Sequence, residues 1–440
     1  MLEEIQEYVR SLGLDAYLVG GAVRDELLGL DSKDADFLVL GVDTEQLRDA
    51  LAPHGRVEDL VVAGRLVGVR LIPRDARIRE LTRAGIEFAP PRKEVSTGPG
   101  RHDFEIVADP SLSLEDDMRR RDFTVNAMAR RVADGELLDP LGGRADLEAR
   151  LLKTVSPQSF REDPLRLIRA LRFVSQLGFE PDETLLDQMR EDAASVKLVS
   201  GERIGGGLAA DGMGELSKLL MGAEPARALT IARDVGVLAE LIPEFAAAPT
   251  WMSDHIFAVV QASANAGDTL AVRLAALFHD VGKPIDKHPL GHARVGAQIA
   301  ERTLERLRYP TRLVSRVAAI VRAHPFHAET APREPRELRR YLAEHGDELA
   351  AEITALRFAD LRAKNRDTSV LEEIAEGLER ERANPHRIAD LAVTGDDLIE
   401  QGYTPGPALG GALRALLDAV IDDPQRNTRD ELLTRAKELR

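Results

Sequence analysis

The sequence Leu18-Val-Gly-Gly-Ala-Val-Arg-Asp-Glu-Leu-Leu-Gly29, followed by Asp34-Ala-Asp-Phe-Leu-Val39, predicts the fold of the first part of the chain. It reads as a strand, a glycine turn, one short helix and a second strand. Gly20 and Gly21 let the backbone approach a ligand closely, and the free amides at the start of the helix favour an anion. Arg24, one turn further on, can bind a phosphate through two hydrogen bonds. The stretch therefore indicates a phosphate-binding turn.

Two carboxylates open the second strand. Residues two apart in a strand point to the same side, so we expect Asp34 and Asp36 to present their oxygens together. Two adjacent anions stay ionised only when a cation lies between them, and an open site of oxygen ligands suits Mg²⁺. A Gly-Gly turn and an Asp-x-Asp pair are each common as purely structural features. Their combination predicts a magnesium site beside the phosphate-binding turn.

Length and composition indicate the class of protein. A chain of 440 residues is too long for one compact core. No apolar run is long enough to span a bilayer, and the acidic first helix lacks the basic start of a signal peptide, so we expect a cytoplasmic protein with no membrane partner. Zero cysteines exclude disulfides, thiolate zinc sites and a cysteine nucleophile. The net charge of −16 argues against binding nucleic acid over the whole surface, but it is compatible with a local basic stripe.

The order of the motifs between residues 18 and 39 resembles a known family. It is similar to the signature of the nucleotidyltransferases that build the CCA end of tRNA, and of their bacterial poly(A) polymerase relatives. The resemblance covers about residues 17–360. It implies template-independent addition of C and A from CTP and ATP to the 3′ end of tRNA. It also implies an α+β, polymerase β-like head (residues 1–150), an all-α neck (151–248), an HD helical domain (249–364) and a helical tail (365–440).

A third carboxylate is expected to complete the magnesium site. Glu87 lies between Ile86 and Phe88, so its side chain faces the polar side of a predicted strand. Asp75, in a predicted turn, is the competing candidate. The resemblance favours Glu87, because the following residues match the family pattern of an acid followed by an Arg-Glu element. Three carboxylates imply two-metal transfer, in which one ion activates a 3′-hydroxyl and the other steadies the leaving pyrophosphate.

Residues 92–104 contain Ser96-Thr-Gly-Pro-Gly100 and are predicted to form a mobile loop. In the family, a flexible loop here accompanies addition of the terminal A. A Gly/Pro-rich surface loop without a function is an equal alternative on the residues alone.

The segment Arg121-Asp-Phe-Thr-Val-Asn126 is predicted to be helical, with Asp122 and Asn126 on one face. A solvated helix of ion pairs is the structural alternative. The segment resembles the family motif Arg-Arg-Asp-x-x-x-Asn-Ala, and the resemblance implies that Arg121, Asp122 and Asn126 contact the ribose and separate ribonucleotides from deoxyribonucleotides.

A second charged stretch, Glu162-Asp-Pro-Leu-Arg166, places acids and a guanidinium three and four residues apart, which predicts one shared helix face. Cytosine and adenine both present an amino donor beside a ring-nitrogen acceptor, whereas uracil and guanine present the reverse. A carboxylate from Asp163 and a guanidinium from Arg166 would therefore accept C and A and reject U and G. An ordinary surface ion pair is the alternative. The stretch is similar to the family's Glu-Asp-x-x-Arg motif, and Arg169, one turn on, is expected to reach the triphosphate.

The chain departs from the family pattern after Glu202-Arg-Ile204, where Gly205-Gly-Gly207 follows. Such a run is expected to fray a helix or replace it by a loop. That departure leaves open whether this element supports the base-reading helix as it usually does.

Histidines and aspartates in the second half of the chain predict another metal centre. The pair His279-Asp280, together with a distant histidine and aspartate, resembles the HD metal-dependent phosphohydrolases. The expected ligands are His255, His279, Asp280 and Asp360; His292 and His324 can hold a second ion, and Lys283 is a candidate phosphate contact. Imidazole and carboxylate ligands suit a transition metal, Mn, Ni, Co, Fe or Zn. The implied substrates are 2′,3′-cyclic phosphates or 2′-phosphates at RNA ends; a degenerate domain kept for folding is the alternative.

Three rival functions stay open at this stage. A poly(A) polymerase or A-adding enzyme of the same family would share the catalytic motifs. An enzyme that uridylylates regulatory proteins also pairs such a domain with HD domains, but usually carries Gly-Ser where this chain has Gly20-Gly21. A catalytically inert nucleotide- or RNA-binding protein would keep the fold alone. The sequence does not determine whether the protein self-associates.

Overall fold

The computed structural model describes residues 1–30, 35–62, 65–96, 104–206 and 213–440. The chain divides into two compact units. The first unit comprises Met1–Ala247 with Leu307–Tyr309, and the second comprises Ala248–Arg306 with Pro310–Arg440. The finer domain boundaries expected from the sequence stay predictions. Across the described ranges, no helix combines the length and the apolar character that a membrane crossing requires.

The strands all lie in the first unit. They are β1 (Ala16–Val19), β2 (Asp36–Val39), β3 (Gly55–Val62), β4 (Arg65–Pro73), β5 (Ile86–Ala89), β6 (Arg92–Ser96), β7 (Phe104–Ala108), β8 (Ala129–Arg131), β9 (Leu137–Leu138), β10 (Leu151–Leu152) and β11 (Glu180–Pro181). The main sheet has the order β3-β4-β5-β2-β1-β8-β9, β6 pairs with β7, and β10 pairs with β11. The β2–β5 pair is parallel, and the other neighbours of the main sheet run antiparallel.

The helices of the first unit flank this sheet and then form a helical layer of their own. They are α1 (Leu2–Ser11), α2 (Gly21–Leu27), α3 (Thr44–Leu51), α4 (Ala76–Leu81), α5 (Leu114–Arg119), α6 (Gly143–Glu148), α7 (Ser159–Glu162), α8 (Leu165–Leu177), α9 (Glu183–Asp192), α10 (Gly201–Gly205), α11 (Glu215–Leu220), α12 (Pro225–Asp234) and α13 (Val237–Leu241). The α+β head followed by helices is therefore confirmed.

The parallel β2–β5 pair positions the predicted carboxylates. Phe37 lies opposite Phe88 in the register, and the two buried rings stack with centroids 5.5 Å apart. Because side chains alternate across a strand, burying these rings turns Asp36 and Glu87 to the other face. The same register sets Asp36 opposite Glu87. Glu87 thus faces away from the core, as its alternation with Ile86 and Phe88 predicts.

The predicted helix through Asp122 and Asn126 is wrong. Helix α5 begins at a Ser113 capping box and ends at Arg119, and Phe123 is extended and bridges to Thr154. A short 3₁₀ turn then covers Thr124–Asn126. The extended backbone at Phe123 interrupts the helix, but the turn after it still brings the Asp122 and Asn126 side chains into contact.

The predicted single helix face carrying Asp163 and Arg166 is also wrong. Helix α7 ends at Glu162, and α8 begins at Leu165, with Asp163 in an extended conformation between them. Pro164 supplies the reason, since the ring of a proline disfavours the helical conformation for the residue before it.

The loop expected over residues 92–104 is ordered at both ends. Strands β6 and β7 pair in antiparallel register from Arg92 opposite Ala108 to Ser96 opposite Phe104. Backbone pairing of these two segments therefore replaces the irregular loop there. Residues 97–103, with most of the Gly/Pro-rich sequence, lie outside the described residues.

The second unit is helical throughout. Its helices are α14 (Thr250–Asn265), α15 (Leu270–Phe278), α16 (Pro289–Arg306), α17 (Thr311–Ala323), α18 (Pro335–His345), α19 (Asp347–Ala363), α20 (Ser369–Glu381), α21 (Gly395–Glu400), α22 (Pro407–Asp422) and α23 (Arg429–Glu438). Helix α15 is buried along its length, from Ala271 to Phe278, and packs against α14, α17 and α19. It therefore carries His279, the residue after its last turn, to the centre of a helical bundle.

We predict that Gly143→Ala destabilises the first unit by about 1–3 kcal/mol. A Cβ at this position would lie 2.1 Å from the backbone oxygen of Thr124, which cannot move without shifting the turn that carries Asn126. Thermal unfolding followed by circular dichroism measures the effect. Gly411→Ala in α22 is the control, because a Cβ there meets nothing within 4 Å and alanine favours the helix. Equal melting temperatures for Gly143→Ala and the wild type would contradict the prediction.

Candidate functional site

The first candidate site is a cleft of about 390 Å³ in the first unit. Asp36 and Glu87 line one part of it, and Arg120 and Arg121 line another. Asp36 is exposed at the first position of β2, and Glu87 lies beside it on β5. Asp34 lies outside the described residues. Arg92 also lines the cleft, which therefore combines two carboxylates and three guanidinium groups and is a suitable setting for a metal ion and a polyphosphate.

The contacts of Glu87 and of its competitor Asp75 differ. Glu87 Oε1 accepts hydrogen bonds from Arg70 Nη2 at 2.5 Å and Nε at 3.2 Å. Asp75 caps helix α4, where its Oδ1 accepts from the amides of Arg77 and Ile78. Asp75 is thus committed to the helix start, whereas Glu87 borders the cleft. This favours Glu87 as the third carboxylate, and its catalytic role stays a prediction.

The glycine turn lies against the arginine of the cleft. Gly20 precedes α2 with φ +74°, and a Cβ there would lie 2.7 Å from Arg121 Nη1. The positive φ favours glycine at this position, and a larger residue would also displace the Arg121 guanidinium. Arg121 Nη2 donates to the fully buried carboxylate of Asp117 at 3.0 Å. Within the described residues, the buried Nε of Arg121 has no hydrogen-bond partner.

Asp122 is the centre of a buried network. Its Oδ1 accepts from the Phe123 amide and from Asn126 Nδ2, both at 2.8 Å, and its Oδ2 accepts from Arg169 Nε at 3.0 Å and Nη2 at 2.6 Å. Burial alone would raise the pKa of Asp122, but the charge of Arg169 and the hydrogen bond from Asn126 lower it from 3.8 to about 2. The carboxylate is therefore ionised and fully bonded at neutral pH.

Arg24 extends the network to the glycine turn. Its Nη1 donates to Asn126 Oδ1 at 2.6 Å, and its Nη2 donates to Asp25 at 2.7 Å. The guanidinium carbon of Arg24 lies 5.0 Å from the centroid of the Phe173 ring, and that of Arg172 lies 4.6 Å from the same centroid. Phe173 is buried at the end of the Arg169–Arg172 turn of α8, so one aromatic ring is in contact with guanidinium groups from α2 and α8.

The predicted base readers, Asp163 and Arg166, have separate partners. Asp163 accepts two hydrogen bonds from Arg203, at 3.1 and 2.7 Å. Arg166 Nη1 donates to Glu162 at 3.0 Å and to the Ser159 carbonyl at 3.2 Å. Arg166 Nη2 donates to the carbonyl of Arg120 at 2.7 Å, and Arg120 lines the cleft.

The sequence reading missed Arg203 and Glu215 as members of the site. Helix α10 ends at Gly205 as the glycine run predicts, yet Arg203 in it still supports Asp163. Glu215 is buried at the start of α11 and forms ion pairs with Arg169 and Arg172. Arginines at every third position from 166 to 172 were the available signal, because a buried row of cations requires a buried acid nearby.

The second candidate site is a cluster of histidines and aspartates in the second unit. His255 and His279 lie 3.4 and 3.3 Å from Asp280 Oδ2, through their Nε2 atoms. His292 and His324 lie 3.5 and 3.9 Å from Asp280 Oδ1, also through Nε2. In each of these two groups, the potential ligand atoms lie within 4.8 Å of one another. Asp280 thus presents one oxygen to each pair of histidines.

Backbone carbonyls orient three of the histidine rings. The Nδ1 atoms of His279, His292 and His324 lie 2.8, 3.1 and 2.6 Å from the backbone oxygens of Ala276, His288 and Val321. A proton shared with a carbonyl holds Nδ1 as the donor and leaves the Nε2 lone pair for a metal. Burial, followed by the charge of His279, lowers the pKa of His324 to about 3, so that ring is neutral at pH 7.

Asp360 and two lysines complete the cluster. Asp360 Oδ1 lies 3.1 Å from His255 Nε2 and 3.7 Å from His279 Nε2. This oxygen is buried, and Lys364 Nζ lies 2.7 Å from it. Lys283 pairs with Asp280 at 2.5 Å, and Lys364 pairs with Asp360 at 2.7 Å. The donor set therefore fits one or two transition-metal ions.

Three family models match the chain. A model described as Poly A polymerase head domain matches residues 16–153, one described as Probable RNA and SrmB- binding site of polymerase A matches residues 178–248, and one described as HD domain matches residues 252–365.

Curated relatives cover most of the chain. A Multifunctional CCA protein of Burkholderia cenocepacia is 34% identical over 337 residues, which is 71% of this chain and 75% of that protein. A Multifunctional CCA protein of Ralstonia nicotianae is 34% identical over 338 residues, which is 71% of this chain and 72% of that protein.

Solved structures are similar over nearly the whole chain. A crystal structure of the Bacillus stearothermophilus CCA-adding enzyme in complex with CTP has a TM-score of 0.71 and 26% identity, covering 99% of this chain and 96% of that chain. A Thermotoga maritima CCA-adding enzyme complexed with tRNA-CCA has a TM-score of 0.62 at 20% identity, with coverages of 99% and 96%, and it supports the fold alone.

We predict that Asp122→Asn lowers the free energy of unfolding by about 2 kcal/mol at pH 7, since the lowered pKa of the carboxyl measures its interactions in the folded state. That contribution is present above the ordinary pKa and is lost as the pH falls through about 2. In urea unfolding at several pH values, the free energies of variant and wild type should therefore begin to approach each other below about pH 4 and meet near pH 2. The control is Glu148→Gln in the exposed Arg144–Glu148 pair, which we expect to cost under about 0.5 kcal/mol. A pH-independent difference for Asp122→Asn would contradict the assignment.

Proposed function

The chain belongs to the family of bacterial multifunctional CCA proteins, and we propose that it adds C and A nucleotides to the 3′ end of tRNA, using CTP and ATP. The observation that supports this most is the in-register pair of Asp36 and Glu87 in a cleft that also contains Arg121. We infer that the enzyme works in the cytoplasm, where its proposed tRNA substrate is found.

We propose that Asp36, with Asp34 and Glu87, holds Mg²⁺. When bound there, magnesium would activate a terminal 3′-hydroxyl and neutralise the leaving pyrophosphate. Arg121 would bind the triphosphate, because its guanidinium lies against the glycine turn and borders the cleft. The ion pair between Arg70 and Glu87 would hold the Glu87 carboxylate at the edge of the cleft.

The buried network would act on the nucleotide by positioning. Each oxygen of Asp122 already accepts two hydrogen bonds, which leaves the carboxylate little capacity to accept one from a ribose. We therefore propose that Asp122 orients Asn126 and Arg169, and that these two side chains contact the ribose and the triphosphate. Arg24 would fix Asn126 from the other side.

We propose that Asp163 and Arg166 select the base of the incoming nucleotide. Arg203 holds Asp163 in a fork of two hydrogen bonds, which fixes its carboxylate as an acceptor for the amino group of C or A. Arg166 makes three hydrogen bonds to described residues, and a guanidinium has about five N–H donors, so we expect it to retain donors for a ring nitrogen. With uracil or guanine, the Asp163 carboxylate would face an acceptor and the Arg166 guanidinium would face a donor. Neither hydrogen bond could form, which costs binding energy.

We propose that the second unit is a metal-dependent phosphohydrolase. His255, His279, Asp280 and Asp360 would hold one transition-metal ion, and Asp280, His292 and His324 a second. Such ions supply an activated water for phosphoester hydrolysis. Lys283 would leave Asp280 once a metal neutralises that carboxylate, and would then be available to a substrate phosphate.

Exchanging one carboxylate in each site should separate the two activities. We expect Asp36→Asn to reduce incorporation of labelled CTP and ATP into truncated tRNA by at least about a thousandfold, since an amide binds magnesium poorly. Phosphoester hydrolysis should be unchanged. Asp280→Asn should give the converse result.

The matched control is Asp134→Asn, which changes an exposed carboxylate in a surface turn and should alter neither activity. Nucleotide incorporation at the wild-type rate by Asp36→Asn would overturn the magnesium assignment. Undiminished hydrolysis by Asp280→Asn would overturn the second assignment.

Asp163→Ala should relax base selection. Without the acceptor for the amino group, we expect the preference for CTP over UTP to fall by about ten- to a hundredfold, through a loss of CTP use. Single-nucleotide incorporation into a tRNA that lacks CCA measures the ratio. Arg203→Met, which frees Asp163 without removing it, should give an intermediate ratio. An unchanged ratio for Asp163→Ala would show that the base is read elsewhere.

A further inference from the structure

Three exposed apolar side chains lie close in sequence to residues of the proposed phosphohydrolase centre. Among the large hydrophobic side chains of the described residues, Ile285, Leu290 and Trp251 are the most exposed, at 68%, 67% and 65%. Trp251 is four residues from the ligand His255. Ile285 is two residues after Lys283, and Leu290 is two residues before the ligand His292. Large exposed apolar side chains next to a polar site are typical of a binding surface.

Trp251 has a defined relation to the metal cluster. It lies on α14 one helical turn before His255, so the two side chains share a face with their Cβ atoms about 5–6 Å apart. Side chains on a helix lean toward its N-terminus, which tilts His255 toward the turn that carries Trp251. His255 is mostly buried against Asp280 and Asp360, whereas the indole one turn away is open to solvent.

The charges of the cluster indicate the chemistry of the occupant. Lys283 and Lys364 each neutralise a carboxylate that the metal ions would take over. Metal ions and two ammonium groups together attract a phosphate. A flat aromatic face beside a phosphate-binding centre suits a nucleobase, because every base can stack on an indole.

We propose that Trp251 is a stacking platform for the nucleobase of an RNA end or nucleotide whose phosphate binds at the histidine–aspartate cluster. This inference rests on the proposed phosphohydrolase function and deepens it: the centre would prefer nucleoside phosphates over phosphate esters without a base. Trp251 is a specificity residue in this account, since it touches the base and not the reacting phosphate.

Matched substrates test the stacking. The metal-loaded full-length protein is assayed with cytidine 2′,3′-cyclic phosphate and with the 2′,3′-cyclic phosphate of 1-O-methylribose, which has no base. Trp251→Ala should lower kcat/KM about tenfold for the cytidine substrate, mainly through KM, and leave the base-free substrate unaffected. Trp251→Phe should restore most of the loss, and Trp251→Leu should not. Ile399→Ala, an exposed apolar residue of α21, is the control. Equal effects of Trp251→Ala on both substrates, or none on either, would overturn the inference.

Fluorescence provides a readout that does not require turnover. Trp251 is the only tryptophan in the chain, so its emission reports this position directly. Zinc-loaded protein titrated with adenosine 2′-phosphate should show quenching that persists in Asp36→Asn and disappears in Asp280→Asn, whereas ribose phosphate should give none.

Absence of hydrolysis in the wild type would contradict the phosphohydrolase proposal itself. Unchanged emission with the nucleotide would overturn the stacking, whatever the hydrolysis assay shows. An oligonucleotide ending in a 2′-phosphate, compared with the mononucleotide, distinguishes an RNA end from a free nucleotide as the occupant.

Discussion

The pair formed by Asp122 and Arg169 connects the elements of the proposed nucleotide site in the first unit. Two hydrogen bonds join this carboxylate to the helix α8, and a third joins it to Asn126 and so to Arg24 beside the glycine turn. A buried charge is costly unless its partners surround it, and here Glu215 supplies the second acid that Arg169 and Arg172 require. Helix α2, the turn at Asn126 and helix α8 are therefore joined by one buried network of charged and polar groups.

The second unit uses one buried carboxylate in a similar way. Asp280 lies between two pairs of histidines. Burial alone would raise the pKa of Asp280, but His279 and Lys283 outweigh that effect and hold the pKa well below its usual range. Backbone carbonyls fix three of the rings before any metal arrives. Folding of the helical bundle therefore orders these side chains, and the proposed metal ions would bind at a site that is already formed.

Several of these features could be predicted from the sequence because they depend on local spacing. The alternation of Ile86, Glu87 and Phe88 fixes which side chain faces the cleft, and the fold class and family follow from the order of motifs. Pro164 also indicates the break between the helices α7 and α8. The regular spacing of charged residues on both sides of Pro164 predicts one continuous helix instead, and that prediction is wrong. The partnership of Arg203 with Asp163 joins residues forty positions apart in the chain, and no spacing rule reveals such a contact. Sequence spacing likewise cannot predict that Asp280 lies between two pairs of histidines, because that position depends on how four helices pack.

The central claim is that this cleft extends a tRNA by C and A and then stops. The most direct measurement is the length of product made from a tRNA lacking all three terminal nucleotides, incubated with CTP and ATP together and resolved on a denaturing gel. We expect a single band three nucleotides longer than the substrate, and no extension when UTP or GTP is the only nucleotide. A ladder of long products with ATP alone, or extension by UTP, would contradict it.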